Sequence, residues 1–301
     1  MRNVSLDKFT ITKRGQLLLE KVNLQKRLLQ DTASTADSQK ALSSNDAMFT
    51  ELRLSSKDSM NPDRFEWAIK SAFEMLGFTA TRLGGPGKTD VLVHAPGSTK
   101  NSFTVAVDAK STTADSVPDT QIDFDTLEEH RKKHHADYCI VIGCAFRNER
   151  LINRAIEHKV LLLDVDNFET IIKQHLDVPI KLSAYRQIFE KSGIADITLI
   201  DNTRQEIISF GKLMRAVMDC LVAESEDPVT GGILQERDIY RSLRDCTEII
   251  ESPTIEDITN MLNFLASPLI GCVEKTKDGY FATGSLADAA RKFSFYARNC
   301  S

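Results

Sequence analysis

An α/β fold, with one sheet flanked by helices and a mainly helical second domain after it, is what the sequence predicts. Three observations carry that expectation. Strand-like apolar runs alternate with helical patterns between residues 78 and 175. After Pro179 the strands give way to helical spacing. The chain of 301 residues is also too long for one minimal domain.

Residues 1–60 read as a helical N-terminal arm. Gln16–Leu29 spaces its apolar residues along one helix face. The Ser-, Thr-, Asp- and Ala-rich stretch 30–45 is a linker, and a short helix is expected over Ala47–Leu54. From Asn61 the pattern sharpens. Asn61 as N-cap and Pro62 at the first helical position open a helix, which carries Phe65, Ala68, Ile69, Ala72, Phe73 and Leu76 to a stop at Gly77. Three strands follow, Phe78–Leu83, Asp90–His94 and Phe103–Ala109, parted by GGPG at 84–87 and by Pro96-Gly97. A polar helix Asp123–His134, an apolar strand Tyr138–Gly143, a helix Glu149–Glu157, a strand Val160–Leu163 and a helix Asn167–His175 complete a domain expected over 61–178. Beyond it, helices are expected at Ile208–Ala223, Gln235–Arg244 and Thr254–Leu265, the third opened by the capping box Thr254-Ile-Glu-Asp257. A hairpin, Gly271–Thr276 and Tyr280–Thr283 around Lys277-Asp278-Gly279, leads to a last helix, Leu286–Tyr296. Three helices and a hairpin are the layout of a winged-helix domain, expected over 185–301. No internal repeat is present.

Composition narrows the function classes. With 42% hydrophobic and 27% charged residues the chain is ordinary for a globular protein. No run approaches the ~18–20 apolar residues that span a bilayer, and no apolar core follows the basic N-terminus as in a secretory signal. Six scattered cysteines, Cys139, Cys144, Cys220, Cys246, Cys272 and Cys300, form no CxxC pair and read as reduced thiols of a cytoplasmic protein. The net charge of −5 is uneven: residues 1–60 are net +3, residues 61–184 net −3 and residues 185–301 net −5. A broad polybasic surface is excluded, so contact with a polyanion falls to local basic clusters or to bound cations.

The chemistry-bearing pattern begins at Val105-Ala-Val-Asp108-Ala-Lys110. Side chains alternate along a strand, so Asp108 and Lys110 share a face while Val105, Val107 and Ala109 point inward. Asp90, at the start of the preceding strand, meets Asp108 across the sheet. Two converging carboxylates attract a hard divalent ion, usually Mg²⁺. Such an ion polarises a phosphodiester and acidifies a bound water, and a lysine beside it positions or deprotonates that water. Glu66, on the helix leading into the sheet, supplies a third acid. The Asp-x-Lys alone occurs by chance in most chains, and its bland reading is an exposed strand face; order and spacing give it weight.

That order resembles the PD-(D/E)xK nuclease superfamily. Phe65-Glu66-Trp-Ala-Ile-Lys-Ser-Ala-Phe-Glu-Met-Leu-Gly77-Phe78 is similar to its first helix. Leu83-Gly-Gly-Pro-Gly-Lys-Thr-Asp90-Val-Leu-Val and Val107-Asp108-Ala-Lys110-Ser most closely resemble the cleavage domains of FokI-type (type IIS) restriction endonucleases. The likeness continues through Asp137–Phe146 and Leu151–Ile172, so it covers roughly 61–176; Thr89 stands where the superfamily's name records Pro. The resemblance implies a restriction-endonuclease-like mixed sheet and a Mg²⁺-dependent deoxyribonuclease cutting double-stranded DNA. It implies that Asp90, Asp108 and the Ala109 carbonyl hold Mg²⁺, with Mn²⁺ as a substitute, and that Lys110 serves the water. Glu66, Asp90, Asp108 and Lys110 are then the catalytic set, working as a homodimer, a transient dimer on DNA or with a partner subunit. Two alternatives stay open: the nuclease subunit of a heteromeric transposase or defence complex, and a non-catalytic winged-helix DNA-binding regulator. The intact four residues weigh against the second.

Other motifs carry less. GGPGKT at 84–89 lacks the first P-loop glycine, its position being Arg82, so it reads as a turn beside the site with Lys88 toward a phosphate. HRKKHH at 130–135 reads as a solvated helix end rather than a zinc or DNA site. Gln121 is a candidate polar helper. Glu256 and Asp257 open the helix that would read bases, which disfavours that role, and Arg291, Lys292 and Arg298 are the remaining basic handle.

Overall fold

The computed structural model describes residues 45–85, 87–98, 100–244 and 252–300. The helix expected over Gln16–Leu29 and all but Asn45 of the linker expected over 30–45 lie outside them, and Asn45 is helical. The chain divides into two compact units, one running to Ile172 with Lys191–Ala195 added, the other holding Lys173–Glu190 and everything from Asp196.

The first unit is built on six strands, β1 (Thr79–Arg82), β2 (Val91–Ala95), β3 (Phe103–Lys110), β4 (Tyr138–Gly143), β5 (Leu161–Asp164) and β6 (Gly193–Ile194), lying side by side in chain order. β1, β2 and β3 run antiparallel, while β3 to β6 are parallel, so the sheet is mixed. Parallel crossovers need covering helices, supplied by α3 (Phe124–Lys133), α4 (Glu149–Glu157) and α5 (Val165–Asp177). Covered on both faces, the central strands lose their alternation: Val105, Ala106 and Val107 of β3 and Ile140, Val141 and Ile142 of β4 are all buried. β6 is missing from the sequence reading because two residues carry no period.

Two further helices precede β1, and α2 packs on it. α2 (Pro62–Met75) buries Phe65, Ala68, Ile69, Ala72 and Phe73, and Gly77 follows it at φ +87°. Pro62 starts it as expected, but the Asn61 side chain makes no capping bond. Asn61 sits at φ −132°, ψ 71° instead of the extended cap conformation, and its N–H is held by Asp58. α1, described over 45–56, packs through buried Phe49 and Leu52, and its Arg53 donates Nε to the buried Glu169 of α5 at 2.6 Å.

The second unit holds α6 (Arg186–Phe189), α7 (Asp201–Ala223), α8 (Glu236–Leu243), α9 (Ile255–Leu265), the hairpin strands β7 (Val273–Lys275) and β8 (Tyr280–Ala282), and α10 (Leu286–Cys300). Val217 and Leu221 of α7, Ile239 of α8 and Ile258, Leu262 and Leu265 of α9 form its core with Val273 and Tyr280. α7 begins seven residues before Ile208 because its first turns, Asp201-Asn-Thr-Arg-Gln-Glu206, present no apolar stripe. Thr254 and Asp257 close the capping box of α9 at 3.1 and 2.9 Å. Leu234 adds a single bridge to Tyr280 of β8, with N–H···O distances of 2.9 and 2.8 Å. Gly279 sits so close to it that a Cβ would lie 2.5 Å from the Leu234 carbonyl oxygen, at φ +148°. Among the described residues no helix is long and apolar enough to cross a membrane.

Candidate active site

The β2–β3 ladder places the two central acids. Val91 pairs with Val107 in an antiparallel register, so one step further along the ladder sets Asp90 opposite Asp108. The ladder ends there, and Asp90 Oδ2 accepts the Ala109 N–H at 2.7 Å. Two residues on from Asp108, and on the same face, Lys110 brings Nζ to 2.7 Å from Asp108 Oδ2. The contact is a charge-assisted pair, and it partners an Asp108 Oδ2 that is otherwise buried.

Burial and like charge strain this pair. The Asp90 carboxyl is pushed up to about 7, first by burial and then by the Asp108 charge, against the pull of the Ala109 N–H. Asp108 is also raised, chiefly by burial, against the nearby Lys110 ammonium. A cation at this point would replace the missing countercharge. The residues fit a hard divalent ion: two neighbouring buried carboxylates whose like charges a single lysine only partly offsets. No cluster of three or more His, Cys, Asp or Glu suited to a metal occurs among the described residues. The remaining positions would go to backbone oxygen, water and phosphate, which is how Mg²⁺ is commonly held.

Glu66 stands apart from the pair. It is buried on α2, its Oε2 accepts Arg82 Nε at 2.7 Å, and Arg82 Nη2 lies 2.8 Å from Asp63. Burial raises its pKa most, Arg82 opposes that, and the Asp108 charge adds a smaller upward push. Glu66 is therefore within electrostatic reach of Asp108 while committed to Arg82. The fit depends on Gly84: a Cβ there would lie 2.8 Å from Arg82 Nη2 and 3.1 Å from Glu66 Oε2, at φ +51°.

His130 corrects the reading of 130–135 as a solvated helix end. Lys132, Lys133 and His135 are exposed, but His130 is buried, with Nε2 3.3 Å from the Gly87 carbonyl. It shares a void too tight for water with Asp108, Cys139 and Thr89, whose buried hydroxyl has no partner. The spacing Phe124, Leu127, His130 on the buried face of α3 is the signal that places it inside. Burial pushes the Cys139 thiol up to about 12, so it is no nucleophile at neutral pH. Gln121 is exposed on a short 3₁₀ turn, and no contact ties it to these residues.

Residues 57–172 match the protein-family model Mrr_cat, described as restriction endonuclease. By that match the stretch is similar to restriction endonuclease domains. No curated protein matches the chain. Two solved structures, restriction endonuclease FokI and FokI bound to DNA, align at 16% and 17% identity with TM-scores of 0.42 and 0.40. The alignments cover 50% and 51% of this chain and 31% and 30% of theirs, so the chain spans about a third of their length.

Proposed function

We propose that this restriction-endonuclease-like domain, read as 61–178, is a metal-dependent enzyme that hydrolyses phosphodiester bonds of double-stranded DNA. Glu66, Asp90, Asp108 and Lys110 are its catalytic residues. The observation that carries the reading is Asp90 set opposite Asp108, with Asp108 Oδ2 paired to Lys110 Nζ at 2.7 Å.

Asp90, Asp108 and the Ala109 carbonyl would hold Mg²⁺, or Mn²⁺ in its place. When bound, the ion supplies Lewis acidity to the phosphate and acidifies its water. The chain does the rest. Asp108 anchors Lys110, whose Nζ donates to the attacking water oxygen and keeps it in line with phosphorus. A bond forms between that oxygen and phosphorus, one ester P–O bond breaks, and the leaving oxygen takes up the proton the water gives up. Arg82 fixes Glu66, so that its carboxylate accepts from ordered water at the rim of the site.

Within the second unit we read a winged-helix module, expected over 185–301, of which Lys191–Ala195 instead joins the first unit and its sheet. The succession α7, Leu234, α8, α9, β7, β8, with Leu234 against β8, supports this. Residues 1–60 we read as a helical arm. One such site cuts one strand, so a double-strand break takes two copies, as a stable or DNA-assembled dimer. A plasmid cleavage assay tests the function: the protein cuts with Mg²⁺ and not with chelator, and Asp90→Ala and Asp108→Ala cut neither way. Near wild-type cleavage by either variant removes the proposed site.

A further inference from the structure

A winged-helix module is expected to meet DNA through α9, yet no Lys, Arg or His occurs from Thr254 to Gly271, while Glu256 and Asp257 open the helix. Affinity for nucleic acid comes mostly from cations on phosphates, so α9 is a poor contact. The cations of α10 are arranged differently. Arg291, Phe295 and Arg298 stand at helical spacings of four and three and share one exposed face; Lys292 and Tyr296 form the neighbouring row.

Beside this face lies a groove of about 300 Å³ walled by Leu269, Ile270, Arg291, Lys292, Phe295 and Tyr296. Its side chains are held in place. Lys292 Nζ donates to the Gly271 carbonyl at 2.5 Å, and the Tyr296 hydroxyl donates to the Leu269 carbonyl. The Phe295 and Tyr296 rings meet edge to face with centroids 5.6 Å apart. Even so, Phe295 remains 55% and Leu269 71% exposed. Arg291 gives Nη1 to Asp288 at 2.7 Å, which leaves most of its five donors available.

We propose that this outer face of α10 and its groove bind an unpaired DNA strand, with phosphates on Arg291 and Lys292 and a base stacked on Phe295. The inference rests on the DNA-cutting reading and extends it, because frayed or newly cut ends are the unpaired strands such an enzyme makes. Cations interleaved with aromatic rings match a polyanion that carries flat π-faces. The bases of an intact duplex are stacked inside and do not reach a groove of this size. α8 presents Arg237 and Arg241, but with Glu236 and Asp238 beside them, Asp238 lying 3.7 Å from Arg241.

The test is anisotropy with a short fluorescent oligothymidylate and the full chain in chelator, where nothing is cut. Phe295→Ala weakens binding about tenfold, the loss of one base–aromatic stack. Arg291→Glu weakens it comparably and lowers the logarithmic salt slope by about 0.7 or more, while Arg241→Glu stays within about twofold of wild type. Both α10 side chains are exposed, so melting curves are unchanged. Equal affinity in all proteins overturns the site, as does loss confined to Arg241→Glu, which moves the contact to α8. Intact DNA affinity with weakened self-association in sedimentation also overturns it, making the face a contact between copies. Plasmid cleavage on the same preparations separates the failures. A wild type that cuts while its α10 variants bind normally discards this site alone; one that neither cuts nor binds discards the nuclease reading too.

Discussion

Asp90→Asn removes one charge from the strained carboxylate pair and keeps an oxygen to accept the Ala109 N–H. The wild-type carboxyl is raised from 3.8 to about 7. A raised pKa means the folded chain holds this proton more tightly than the unfolded one. The associated stability is full below the unfolded pKa and is lost as pH rises through the folded value. Each unit is worth about 1.4 kcal/mol, so moving from about pH 5 to about pH 8 costs the metal-free wild type about 2–3 kcal/mol through this group. Asn does not titrate and escapes that loss. In thermal melts with chelator, the Asp90→Asn advantage over wild type should therefore grow between these two pH values by about 2–3 kcal/mol, or about 5–10 °C in Tm. Adding Mg²⁺ stabilises wild type by mass action and narrows the gap. An advantage that does not change with pH, or a variant less stable than wild type at about pH 8, refutes the argument that burial and the Asp108 charge strain Asp90.

Gly84→Ala forces a Cβ against Arg82 and Glu66 at a positive φ, so it should cost about 1–2 kcal/mol in urea melts and slow cleavage; no change in either measurement contradicts the close approach. His130→Leu, which loses the tie to the Gly87 carbonyl, should lower kcat more than DNA affinity, and His130→Gln, which keeps a donor, should recover part of it; equal losses in both variants would point to packing alone. The plasmid linearisation rate should rise faster than linearly with protein concentration, and a strictly first-order, nick-only reaction contradicts the two-copy requirement.

Legibility followed how local the determining physics is. Glu149–Glu157 and Tyr138–Gly143 occur with the bounds expected, because the helix carries its own period, the strand its own unbroken apolar run, and turn signals bound both. The helices on both faces of the sheet were legible too, since apolar runs joined by helices must cross over in parallel, whereas its mixed character was implied by the family resemblance. β6 and the first turns of α7 were not legible: the first is too short and the second too polar to show a period. At the site, an antiparallel pair of strands separated by a loop makes Asp90 and Asp108 neighbours, and Asp-x-Lys makes Lys110 one. The partners of Glu66 and Gly87 were not visible, because Arg82 and His130 lie 16 and 43 residues from them and are brought in by tertiary packing. Arg82 registered only as the missing glycine of a P-loop.

A calorimetric titration with Mn²⁺, run on wild type, Asp108→Asn and Lys110→Ala, tests the central claim most directly. The account predicts that wild type and Lys110→Ala bind the ion alike, that Asp108→Asn binds it at least about tenfold more weakly, and that only wild type then cuts DNA. Equal Mn²⁺ binding by wild type and Asp108→Asn would contradict it.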